Sequence, residues 1–227
     1  MAKDFRAARQ IFYLIGVAAF ALSAPSALRA GPADGQAIAQ KGTATVVSCS
    51  TCHGLDGEGK IGVGPRLAGQ GKAYLLQQLS NFKSGGRSMP VMQGVASGLT
   101  PAETDDVADY YSSLAAPAHP SAAHRPAAAN LVTSGRQVAE QGVPSAGVPA
   151  CSACHGAEGI GLAPTAPYLA GLQADYMLRQ LTAFRAGTRG DPTGQMKPVV
   201  AKLSDDDAMD VAEYFASLPA PKRQGEK

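Results

Sequence analysis

The segment Cys49–Arg87 recurs without a gap as Cys151–Arg189, displaced by 102 residues and identical at 18 of 39 positions. The matches include Gly57, Gly59, Pro65, Leu67, Ala68, Gly69, Tyr74, Leu79, Phe82 and Arg87, each with its twin 102 further on. Chance does not produce such a match, so the chain is a duplication. Two copies at so long a period read as tandem domains rather than a solenoid. The boundary falls where composition changes. Residues 115–129 read AAPAHPSAAHRPAAA, which carries no helical stripe and suits an extended Ala/Pro-rich linker. Beyond it GRQVAEQG (135–142) parallels GQAIAQKG (35–42). The expected domains are therefore 31–116 and 130–220, with a linker over 117–129 and a polar tail over 221–227.

Each copy reads as helical. A short helix precedes the first cysteine. A second begins near Lys72, with Tyr74, Leu75, Leu79 and Phe82 at helical spacing. The last helix of copy one opens at Thr100-Pro101-Ala102-Glu103, a capping box with proline at its first turn. Copy two has Ser204-Asp205-Asp206-Asp207 there, and the acids suit the helix N-terminus. Val107, Tyr110, Tyr111 and Leu114 form a buried stripe, matched by Val211, Tyr214, Phe215 and Leu218. No run of alternating β-branched residues appears between the Gly/Pro-rich loops. The fold class is all-α.

The first 30 residues are set aside from the fold. Lys3, Arg6 and Arg9 precede an apolar run over 11–22, and a small-residue stretch ends at Ala30, the pattern of a secretory signal peptide. The run is shorter than the roughly 20 residues of a membrane span. Leu28 is larger than cleavage prefers, so an uncleaved N-terminal anchor, attaching the protein to a membrane, stays the alternative. Without residues 1–30 the chain has 16 basic and 17 acidic residues. That balance, with no clustered basic face, excludes a nucleic-acid footprint. The expected location is the periplasm.

Four cysteines in an exported chain would ordinarily suggest disulfides. Their spacing argues otherwise. Cys49-x-x-Cys52-His53 and Cys151-x-x-Cys154-His155 are attachment signatures of c-type haem. Two thiols one helical turn apart reach both vinyl groups of one porphyrin, and the histidine that follows ligates the iron. Two matches in register with a duplication, behind an export signal, are a strong signal. Four-residue disulfide loops would leave both histidines unexplained. A four-cysteine zinc site would need both domains to converge. With only 6% aromatic residues and no Trp, two domains of this size have little core of their own. A covalently bound haem c in each would supply the rest.

The second axial ligand comes from a methionine. Met92 lies seven residues before Leu99, and Met196 seven before Leu203, with Val95 and Val199 also in register. Copy one offers Met89 as the alternative. Met177 and Met209 read as packing residues at helical core positions. His/Met ligation fills both axial positions and raises the potential, so such a centre passes single electrons and has no catalytic residue. Pro65 and Pro167, in the matched Pro-x-Leu-Ala-Gly loops, are candidates to offer a carbonyl to each histidine, or else simple rigid turns. Tyr74, Tyr176, Arg87 and Arg189 are candidates to bind haem propionates, with core packing the alternative for the tyrosines. His119 and His124 in the linker read as solvated.

These motifs, with Tyr74-x-x-x-Gln78-Leu79 and its twin, resemble the dihaem cytochrome c4 family of the class I cytochrome c fold, from about Gly35 to Leu218. The resemblance implies two domains facing each other about a pseudo-twofold axis, with haems near the interface. It implies an electron carrier serving respiratory partners, such as a quinol:cytochrome c reductase as donor and a terminal oxidase as acceptor. Similar dihaem chains serve as the cytochrome subunit of flavoprotein sulfide dehydrogenases, which is the alternative function. A dihaem peroxidase would need one open iron, which a methionine in both copies opposes. The alanine- and proline-rich linker departs from the family pattern, as does the near-equal charge of the two domains.

Overall fold

The computed structural model describes residues 32–116, 128–162, 164 and 166–221. The leader expected over 1–30, all but the last two residues of the expected linker (and with it His119 and His124), and residues 222–227 of the expected tail lie outside them.

The first copy comprises α1 (Pro32–Lys41), α2 (Ser50–His53), α3 (Lys72–Ser84), α4 (Pro90–Gly98) and α5 (Pro101–Ser113). The second repeats the order with α6 (Ala129–Gln141), α7 (Ser152–His155), α8 (Ala174–Ala186), α9 (Met196–Val200) and α10 (Asp205–Ser217). Among the described residues the only β contacts are isolated bridges. Ala129, assigned by sequence to the linker, opens α6 instead, because alanine serves a first helical turn as well as a linker.

In each copy the first helix crosses the last. The crossing is close enough that a glycine is needed at its centre. A Cβ on Gly35 would meet the backbone of Asp106 and the Cβ of Tyr110 at 2.8 Å. One on Gly135 would meet Asp210 and the Cβ of Tyr214 at the same distance. The capping box at Thr100 is complete: Thr100 Oγ1 accepts from Glu103 N–H, and Glu103 Oε2 accepts from Thr100 N–H. Ser204 Oγ accepts from Asp207 N–H in the same way.

The methionine segment of copy one is a nine-residue helix, α4. Its two glycines and its valines argue against a helix locally, and packing against α3 supplies what propensity does not. Met209, expected in the core, is 46% exposed. On α10 the buried face runs through Ala208, Val211, Ala212 and Phe215, which turns position 209 outward.

The two domains meet along a reciprocal interface. The strands around Arg87 and Arg189 form an antiparallel bridge, with Ser88 N–H donating to Thr188 O and Gly190 N–H to Gly86 O. Tyr168 Oη donates to Ala68 O at 2.7 Å, and Arg66 Nη2 to Ala170 O at 3.2 Å. Positions 66 and 168 correspond in the repeat, as do 68 and 170. Each domain thus reaches the same carbonyl of the other with a different side chain, and the Arg66 guanidinium sits over the Tyr168 ring.

Candidate haem-binding sites

α2 and α7 are single turns whose first cysteine stands just before the helix. His53 N–H donates to Cys49 O, and His155 N–H to Cys151 O, both at 2.9 Å. That turn sets both thiols and the imidazole of each motif on one short element. A glycine at positive φ follows each histidine, Gly54 and Gly156, and lets the chain reverse away.

Each histidine is held by its Nδ1. In copy one Nδ1 lies 2.7 Å from Pro65 O, and in copy two 3.0 Å from Pro167 O. A carbonyl only accepts, so Nδ1 carries the proton and Nε2 is left with its lone pair. Burial pushes the pKa of both imidazoles down, the proline carbonyl opposing it, so both rings are neutral at neutral pH. A neutral imidazole with a free Nε2 is the form that ligates a metal.

The thiols are of the opposite type to redox dithiols. Burial pushes Cys49 up and Cys151 up to about 11, whereas a redox Cys-x-x-Cys works through a lowered pKa. Among the described residues no three His, Cys, Asp or Glu side chains converge, so the four cysteines do not meet at one point.

In copy two, Cys151, Cys154 and His155 line a cavity of about 750 Å³, within the range of cofactor sites. Pro167, Met177, Met196, Leu203 and Phe215 line it too. In copy one the core falls into two separate clusters, one around Leu75, Tyr110 and Tyr111 and one around Val46, Leu99 and Val107. A large apolar group is what such a divided core lacks. The residues fit haem c on these grounds.

The methionine segments differ between the copies. Met92 is half-buried within α4, while Met89 is 43% exposed. Met196 opens α9, and Asp191 holds its backbone: Oδ2 accepts from Met196 N–H, and Oδ1 from Thr193 and Gln195. Burial alone would raise the Asp191 pKa, but these donors hold it below the usual carboxylate range.

Arg87, Arg189, Tyr74 and Tyr176 meet at the domain interface. Arg87 donates to Gln78 of its own domain and to Tyr176 Oη and Gln180 Oε1 of the other, at 2.7–2.9 Å. Arg189 mirrors this with Gln180, Tyr74 and Gln78. Each guanidinium also stacks on a phenylalanine of its own domain, Phe82 or Phe184, at 4.5 Å. Gln78 and Gln180 entered the sequence reading only within a motif, although their identity in the repeat was a signal. Tyr74, Gln77 and Gln78 of the first domain wall the second domain's cavity, so that cavity abuts the interface.

The cytochrome c family model matches residues 32–115 and 132–219. The thiosulfate dehydrogenase electron acceptor of Stutzerimonas stutzeri is 41% identical over 209 residues, 90% of this chain and 94% of that protein. Cytochrome c4 of Pseudomonas aeruginosa is 36% identical over 190 residues, 79% of this chain and 88% of that protein. Among solved structures, reduced recombinant cytochrome c4 from Pseudomonas stutzeri superposes with a TM-score of 0.72 at 33% identity, covering 83% of this chain and 100% of that one. A thiosulfate dehydrogenase from Marichromatium purpuratum gives a TM-score of 0.73 at 37% identity over 83% of this chain, which spans 40% of that one. With two Cys-x-x-Cys-His sites on two helical domains of this kind, the chain belongs to the cytochrome c family and, within it, to the dihaem cytochromes c4, electron carriers that bind a haem c covalently in each domain.

Proposed function

We propose that the protein is an exported carrier that moves single electrons between respiratory redox proteins in the periplasm. Its irons would be held by His53 and Met92 in the first domain and by His155 and Met196 in the second, with thioethers at Cys49, Cys52, Cys151 and Cys154. The bound haems supply a one-electron couple. The protein holds each imidazole in one tautomer and walls the second site with both domains. The observation that carries the reading is the imidazole pair: two buried rings, each fixed through Nδ1 by a proline carbonyl, with Nε2 left for a metal. The half-buried Met92 supports its choice over Met89. Propionate contacts for Arg87, Arg189, Tyr74 and Tyr176 remain part of the proposal, alongside their cross-domain partners.

The donor reading follows the relatives. A 41% identical protein is a thiosulfate dehydrogenase electron acceptor, which favours a dehydrogenase oxidising an inorganic sulfur compound as electron donor, with a terminal oxidase downstream. A quinol:cytochrome c reductase is the other donor of the right chemistry. If the chain were instead the cytochrome subunit of a sulfide dehydrogenase, a flavoprotein would copurify with it.

Optical spectra of the purified holoprotein test the ligands. Two low-spin haems should appear, each with the weak long-wavelength band of methionine sulfur on ferric iron. Met92→Ala should remove half of that band and Met89→Ala none of it. Prompt carbon monoxide binding by the unmodified protein would overturn the reading. Stopped-flow mixing with thiosulfate-reduced dehydrogenase should reduce both haems if that donor is right.

A further inference from the structure

The last helices of the two domains place an aromatic ring at one and the same site. Tyr111 and Phe215 correspond in the repeat and are each 3% exposed. Their backbone carbonyls accept from Gly69 and Gly171, the same position of each copy. Their rings press on Gly57 and Gly159, where a Cβ would meet Cε1 at 2.7 Å and Cδ1 at 2.8 Å in both domains. Phe215 lines the second domain's cavity together with Cys151. The two environments differ by one hydroxyl.

That hydroxyl is buried and makes no hydrogen bond within the chain as it stands. The side chain it faces is Cys49, the first cysteine of the motif, which packs against the same cluster of the core. A buried hydroxyl without a partner is costly, so its place calls for an acceptor. A free Cys49 thiol could donate or accept. Once the sulfur is a thioether it has no proton, and only the tyrosine can donate.

We propose that Tyr111 donates a hydrogen bond to the Cys49 thioether and thereby raises the reduction potential of the first domain's haem above the value a phenylalanine would give. The positive end of the O–H dipole would then lie against the sulfur that tethers the haem. The reduced iron carries one positive charge less than the oxidised, so a fixed positive pole favours reduction. Hydrogen bonds and burial around a haem are recognised levers on its potential. The second domain, with Phe215, has no such pole. The inference rests on the covalent haem at Cys49, and it makes Tyr111 a residue that tunes the centre without ligating it.

The test is a redox titration of the holoprotein, followed by NMR so that the methyl signal of each iron-bound methionine reports its own domain. Tyr111→Phe should lower the first domain's midpoint and leave the second's unchanged. Phe215→Tyr should raise the second domain's midpoint and leave the first's. Unchanged midpoints, an upward shift in Tyr111→Phe, or equal shifts of both haems in either variant would overturn the proposal. Should Tyr111→Phe not fold, Phe215→Tyr carries the test alone. The unmodified protein is titrated first, and its two low-spin haems check the underlying reading independently.

Discussion

Asp191 is the side chain that separates the two methionine segments. The register between copies changes from 102 to 104 residues just before Met196, and the extra residues form the turn that Asp191 closes. Removing its carboxylate leaves the Met196 and Gln195 amides without their acceptor. Asp191→Ala should therefore cost about 1 kcal/mol locally, the value of charged hydrogen bonds reduced for a largely solvated group. In guanidinium, the second domain's methionine–iron band should vanish at a lower concentration than the first domain's. An unshifted band would show that Met196 is positioned by packing alone. The two Cys-x-x-Cys-His motifs were legible because haem attachment fixes their spacing. Asp191 was not, because an insertion has no twin to compare with. Tyr111 was read as core, since a helical stripe says which residues are buried and not what their polar atoms face.

The helices are legible where local chemistry agrees with packing. Thr100 and Ser204 announce the last helices through side chains that accept from the third helical amide. Thr100→Ala should lower stability to guanidinium unfolding by about 1 kcal/mol, and Ser204→Ala by a similar amount. Glu103 completes the box, and its bonds to Thr100 hold its carboxylate below the usual range. Its share of stability is therefore present above the ordinary carboxylate pKa and fades as pH falls through the lowered one. The Thr100→Ala penalty, measured against pH, should shrink in acid. A penalty that stays constant down to acid pH would remove Glu103 from the account. At the helix crossings, Gly35→Ala forces a Cβ into Asp106 and Tyr110. Overpacking of that kind costs about 1–3 kcal/mol, again read as a lower unfolding midpoint. α4 shows the opposite case: Pro90 in its first turn was a local signal, but the glycines after it hid a helix that packing completes.

The two domains are joined reciprocally: Arg87 and Arg189 each satisfy glutamine and tyrosine on the far side. Arg87→Met strips Gln180 and Tyr176 of a charged donor. The loss should be about 2–3 kcal/mol, and thermal unfolding should separate into two transitions as the domains uncouple. A single transition at the original midpoint would show that the bridge and the Arg66–Tyr168 contacts suffice. The duplication made two domains legible from the sequence. That the domains face each other came from the family resemblance; which residues join them was not legible, because the same repeated pairs serve a haem edge or a partner domain equally well until the domains are set face to face.

Positions 66 and 168 give that interface a polarity. Were two first domains from separate chains to pair in this geometry, guanidinium would be buried against guanidinium, a juxtaposition that repels. Two second domains would set tyrosine against tyrosine with no cation between them. The contact that a symmetrical pair of identical units would make isologous has become heterologous, and each half now recognises the other half and rejects its own kind. A chain built this way disfavours the pairing of like domains, so wherever two domains meet in this geometry a first domain meets a second.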